Sequence, residues 1–135
     1  MKIPRRFTKS GESPYAGLTF ETRISEIRNP DGSVVHRTDV ATVPSGWSQV
    51  ATDILAQKYF RRAGVPEIDA EGQPKLDDKG IRILGSETDA RQVFHRLAGC
   101  WTAWGEKSGY FDAPDDAKAF YDEMCFMLAN QYCAP

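Results

Sequence analysis

The sequence predicts an α+β fold: an N-terminal β-hairpin packed on about three α-helices. Three observations predict it. Residues 18–24 alternate, with Leu18, Phe20, Thr22 and Ile24 on one side and Thr19, Glu21 and Arg23 on the other, the period of a half-buried strand. "RNPDGS" at 28–33 joins Asn-Pro to Asp-Gly, strong turn chemistry before a second extended run, "VVHRTDVATV", that Pro44 ends. The later stretches space their apolar residues by three and four instead, as helices do.

The elements follow in order. Residues 1–14 hold Ser10, Gly11, Ser13 and Pro14 and read as an irregular arm. Residues 15–44 form the hairpin, which is marginal in water unless it leans on other elements. Residues 45–65 supply a helix over 46–63, with Trp47, Val50, Ala51, Ile54, Leu55 and Tyr59 on one stripe. Arg61 and Arg62 fall in its last turn, and Gly64 and Pro66 stop it. Residues 66–85, rich in Gly, Pro and charge, read as a long mobile loop. Residues 86–135 are helical. Ser86 is the expected N-cap, with Asp89 three residues on. Ala90, Val93, Phe94, Leu97, Trp101 and Trp104 form the apolar face, and Gly99 hints at close packing. A last helix restarts at Asp112–Asp116, with Pro114 in its first turn, and carries Ala117, Phe120, Tyr121, Met124, Leu128 and Gln131 inward. No internal repeat stands out.

Composition bounds the function. At 135 residues, 41% hydrophobic and 27% charged, the chain is expected to be one domain with a single core. A net charge of -2 and a pI of about 5.7 argue against a nucleic-acid partner. The basic start, Lys2, Arg5, Arg6 and Lys9, reads as a solvated arm. No apolar run approaches the roughly 20 residues of a membrane span, and no signal-peptide core opens the chain. The expected setting is the cytoplasm, without a membrane partner. Cys100, Cys125 and Cys133 fit it as reduced thiols. The last two, eight residues apart on one expected helix, lie roughly 12 Å apart and cannot pair.

The residues that could carry chemistry are sparse. His36 and His95 lie in different elements and outside any metal-ligand spacing. No glycine-rich phosphate loop occurs. The pairs Asp77-Asp78, Asp115-Asp116 and Asp122-Glu123 read as solvated charge or compensation of a helix N-terminus. Trp101, Trp104, Tyr110 and Phe111 read as core rather than a ligand strip. No catalytic, cofactor-binding or metal-binding residue is assigned.

Three long blocks carry a resemblance. They are "RRFTKSGESPYAGLTFETRISEIRNPDGSVV", "WSQVATDILAQKYFRRAGVP" and "GSETDARQVFHRLAGCWTAWGEKSGYFDAPDDAKAFYDEMCFMLANQYCAP". Together they resemble the N-terminal domain of the adenosylcobalamin-dependent (class II) ribonucleotide reductases, from Arg5 to Pro135, broken only at the loop 66–85, which varies in length in that family. The resemblance implies reduction of ribonucleotides to deoxyribonucleotides for DNA synthesis. A thiyl radical made with adenosylcobalamin would do this, inside a ten-stranded α/β barrel that follows a segment like "QYCAP". None of that barrel is present. Cys133 matches the family's cysteine before "AP", which is not catalytic, and Cys100 and Cys125 match no catalytic cysteine.

The resemblance therefore implies a structural N-terminal domain, inactive alone, that binds no cobalamin itself. Pro135 reads as an internal junction leading toward the barrel. The expected partner is that barrel, in the same or a separately encoded chain, or a second copy of this chain. A stand-alone interaction or regulatory module that kept the N-terminal fold is the rival; a nucleotide-binding regulatory domain is weaker for want of a phosphate loop. The apolar faces of the last two helices should be partly exposed.

Overall fold

In the computed structural model, which describes residues 1–134, the element order is β1 (Phe20–Arg28), β2 (Val34–Pro44), α1 (Gln49–Ile54) running into a π-helical turn (Leu55–Tyr59), β3 (Val65–Pro66), β4 (Leu84–Gly85), α2 (Ala90–Lys107) and α3 (Pro114–Ala129). This is the α+β hairpin-and-helices fold the sequence predicts, with a second two-stranded sheet added. Pro135, the expected junction, lies outside the described residues. The chain gathers into two units. One is continuous, Thr22–Ala90; the other joins Met1–Glu21 to the chain from Arg91 on.

In the continuous unit, β1 and β2 pair around the expected turn. Asn29 N–H donates to Ser33 O at 2.8 Å, and Gly32 takes φ +85°, which glycine adopts without a Cβ penalty. The strand starts at Phe20 and turns the other face inward. Ser25 is fully buried, Arg23 and Ile27 are half-buried, and Ile24 is 51% exposed. Arg23 explains the reversal. Its Nη1 donates to Trp47 O at 2.6 Å and to Thr52 Oγ1 at 2.9 Å, and its Nη2 donates to Ser45 O at 2.9 Å. A guanidinium can occupy an inner strand position when its donors find acceptors there.

Helix α1 is capped by Ser48, whose Oγ accepts from Ala51 N–H at 3.1 Å. The expected stripe then breaks. In the π turn Phe60 N–H donates to Leu55 O at 3.0 Å, one residue further back than an α-helix allows. Thr52, Leu55, Ala56 and Phe60 are buried, while Val50 and Ile54 are exposed. Arg61 and Arg62 lie beyond the helix end, not in its last turn.

Residues 66–85, expected as a loop, carry a hydrogen-bonded meander. Val65 pairs with Gly85 and Pro66 with Leu84, and bridges join Ile68 to Pro74 and Leu76 to Arg82. Its two turns repeat one device eight residues apart. Asp69 Oδ1 accepts from Glu71 and Gln73 N–H, and Asp77 Oδ1 from Lys79 and Ile81 N–H, each before a positive-φ glycine, Gly72 or Gly80. Helix α2 begins at Ala90 rather than after Ser86. Thr42 N–H donates to Thr88 O at 2.8 Å and a parallel bridge links Thr42 to Asp89, so the residues before Ala90 stay extended.

In the other unit the buried set is Val93, Phe94 and Ala98 of α2 with Ala117, Ala119, Cys125, Leu128 and Ala129 of α3. Tyr15 reaches Phe94 and Phe20, with ring centroids 6.2 and 5.8 Å apart. Arg91 lies over the Phe20 ring at 4.3 Å. The close approach on α2 is at Gly105, where an added Cβ would fall 2.6 Å from the Phe111 ring; at Gly99 it would meet only ordinary contacts. Helix α3 has Pro114 in its first turn, and Asp116 accepts from Ala113 N–H at 3.1 Å.

Candidate functional site

The continuous unit holds an open cleft of about 390 Å³. Residues 36–40 of β2 form one wall, and Ser86–Thr88 with Arg61 and Arg62 form the other. Ala56 and Phe60 line it and are almost fully buried. Glu87 fixes the second wall: its Oε2 accepts from Arg61 N–H at 2.9 Å, and its own N–H donates to Arg61 O at 2.8 Å. Arg37 is held by Glu26 at 2.9 Å and Asp39 at 2.5 Å. Hydrogen bonds from Arg28 and then Arg37 hold the Glu26 carboxyl below its ordinary range. His36 Nε2 lies 3.0 Å from Thr38 Oγ1.

The unit built from the chain ends holds two polar clusters. In the first, the Cys125 thiol is fully buried, with the hydroxyls of Tyr15 and Tyr121 around it. Burial pushes the thiol above its ordinary value, and the two hydroxyls offset this in part. Burial likewise raises both tyrosines. The thiolate is the nucleophile, so a buried, protonated thiol is inert. Tyr121 Oη meets His95 Nδ1 at 2.8 Å, and His95 is exposed.

The second cluster corrects the reading of the arm and of Asp122-Glu123. The arm is not solvated along its length, and this carboxylate pair is not on a solvent face. Asp122 and Glu123 are 1% and 7% exposed because the arm lies along α3. Ile3 N–H donates to Asp116 at 2.8 Å, Arg5 Nη1 to Asp122 at 2.8 Å, and Thr8 N–H and Oγ1 to Glu123 Oε1 at 2.8 and 2.6 Å. Phe7 stacks on Phe126 at 5.1 Å. Burial alone would raise the Glu123 carboxyl, but the Thr8 hydroxyl and the amides of Thr8, Phe7 and Arg6 outweigh it and hold it below its ordinary value. A sequence signal existed: apolar Phe7 and polar Thr8 follow Arg5, matching in kind an acid pair followed by an aromatic.

The remaining residues scatter. All three cysteines are free thiols: Cys100 is exposed, Cys125 buried and Cys133 half-buried. Cys133 lies beyond α3, which ends at Ala129, not on it. The aromatic run is not wholly core. Trp101 and Phe111 are half-buried, but Trp104 and Tyr110 are 62% and 61% exposed. On α3, Ala117 and Leu128 of the expected face are buried, while Phe120, Tyr121 and Met124 are half-buried. Asp77-Asp78 is exposed, and Asp115 and Asp116 sit at the start of α3 as expected. Among the described residues no group of three or more His, Cys, Asp or Glu is placed to hold a metal ion, and no helix is long and apolar enough to cross a membrane.

Comparison with known proteins adds what the geometry lacks. Residues 21–131 match the family model described as class II vitamin B12-dependent ribonucleotide reductase. Vitamin B12-dependent ribonucleotide reductases of Bradyrhizobium diazoefficiens and Agrobacterium fabrum are each 52% identical to this chain over its whole length, which spans 12% of theirs. That of Rhodopirellula baltica is 30% identical over 92% of this chain and 10% of its own length.

Proposed function

The chain belongs to the class II vitamin B12-dependent ribonucleotide reductase family, and from that premise we propose that it serves as the N-terminal structural domain of such an enzyme, inactive by itself. The observation that carries this is the full-length match at 52% identity to only 12% of each relative. The whole enzyme makes deoxyribonucleotides by thiyl-radical reduction of ribonucleotides in the cytoplasm. This chain packs against the catalytic barrel, in the same or a separate polypeptide. The large exposed side chain of Trp104 on α2 supports such a neighbour.

Adenosylcobalamin does not fit the residues present. A corrinoid ring with its nucleotide arms far exceeds a cleft of about 390 Å³. The thiols support the same reading, since Cys125 is buried and held protonated while Cys100 is exposed on another helix. No step of the chemistry is assigned to this chain.

The test is an assay of the purified 135-residue chain with adenosylcobalamin, a dithiol and each ribonucleotide. The expected result is no deoxyribonucleotide; turnover by the chain alone would overturn the proposal. Mixed with the remainder of the Agrobacterium enzyme, the chain should form a complex that survives gel filtration. Replacing Trp104 with Glu should weaken that complex.

A further inference from the structure

We propose that the cleft between β2 and the end of the π turn binds a small phosphorylated molecule that carries an apolar body. The inference does not depend on the family assignment. It rests on how the charges around the cleft are spent.

The cleft's volume of about 390 Å³ falls in the range of small-molecule sites, which are mostly apolar with a few convergent polar groups. Val40, 46% exposed, offers apolar surface to a ligand beside Ala56 and Phe60, which are 2% and 7% exposed. Two of the charged side chains in the walls neutralise each other: Arg37 pairs with Asp39, and with Glu26 behind it. The carboxylate of Glu87 is turned to the backbone, on Arg61 N–H. The guanidiniums of Arg61 and Arg62 have no such partner. No ion pair engages either among the described residues, and Arg62 Nη2 makes one long bond, to Gln57 O at 3.3 Å. Both are exposed at the mouth, with Ser86 beside them.

Each guanidinium is a donor fork that matches a phosphate's terminal oxygens, and both belong to residues that line the cleft. The Arg61 backbone is fixed, because its N–H and C=O are both tied to Glu87. A free anion would use the mouth alone. An anion with an apolar ring or chain would also cover the apolar surface.

The test is an amide-resolved NMR titration of the 135-residue chain with phenyl phosphate and, separately, with inorganic phosphate. Phenyl phosphate should shift Phe60–Arg62 and Ser86–Thr88 saturably and bind at least about fivefold tighter than inorganic phosphate, the difference coming from the covered apolar surface. Arg61→Gln and Arg62→Gln should each weaken it about tenfold, and Arg61→Lys less. These side chains are exposed, and amide spectra of residues outside the cleft verify each variant's fold. Absence of a saturable shift would overturn the proposal. So would equal binding of the two probes, or binding unchanged in the Arg61→Gln/Arg62→Gln double variant. Tighter binding of an unphosphorylated acidic peptide would replace it with a protein-docking site.

Discussion

At Gln131 the chain leaves α3 through φ +57°, a conformation that costs an L side chain about 1 kcal/mol or more and glycine almost nothing. The residue accepts it to close the helix. Tyr132 N–H donates to Met127 O at 2.9 Å and Gln131 N–H to Leu128 O at 3.2 Å, while the Tyr132 ring packs near Phe126, 6.0 Å between centroids. Gln131 is exposed, so its side chain gives little back. Gln131→Gly should therefore stabilise the fold by about 0.5–1 kcal/mol, seen as a higher urea midpoint at an unchanged m-value. An unchanged or lower midpoint would show that the side chain holds something here. The same residue marks a limit of sequence reading. A helix written through Gln131 fits the apolar period, because no glycine announces the stop. Asp122 and Glu123 were opaque for a related reason: what buries them is more than a hundred residues away in sequence.

Elements were legible where one local rule decided them. The Asn-Pro-Asp-Gly turn, the start of α3 and the existence of every helix follow from turn chemistry, Pro placement and apolar period. Faces and ends were less legible, because a tertiary partner sets them. The π turn has no sequence mark, and β2 holds residues 88 and 89 extended and delays α2. Arg23 is the clearest case, a charged residue that turns a strand face by linking it to the start of α1. Its three acceptors, Trp47 O, Thr52 Oγ1 and Ser45 O, fix the corner between β2 and α1. Arg23→Met keeps the length but removes every donor, and should cost about 2–3 kcal/mol by thermal or urea unfolding. Arg23→Lys, with a single compact ammonium, should recover less than half of the loss. A cost under about 0.5 kcal/mol would mean that water replaces the guanidinium and that apolar contacts alone set the face.

For the whole molecule, family membership was the most legible property, since it is spread over three long blocks, whereas the cleft was not, since it joins three separated segments. The titrating groups act together on the whole fold as well. Glu123 is held below its ordinary value of 4.5 in the folded state, so its stabilisation is present above that value and is lost as pH falls through the lower folded one. Glu26, under Arg28, and Asp31, under the Ser33 hydroxyl, act in the same direction, Glu26 half-buried and Asp31 exposed and screened. Cys125, Tyr121 and Tyr15 are raised by burial and stay neutral when folded, so their contribution is complete below the ordinary values, 9.0 for the thiol and 10.0 for the phenols, and is lost as pH rises beyond them. Stability should therefore form a plateau between about pH 5 and pH 8.5 and fall on both sides. A melting-temperature series from pH 3 to pH 11 reads it. Glu123→Gln should flatten the acid limb, even in high salt, because its carboxylate is buried against the arm. Cys125→Ala should leave the acid limb alone and delay the start of the alkaline one toward the tyrosine range. An acid limb unchanged in Glu123→Gln would place the acid-sensitive contact somewhere other than the clasp between the arm and α3.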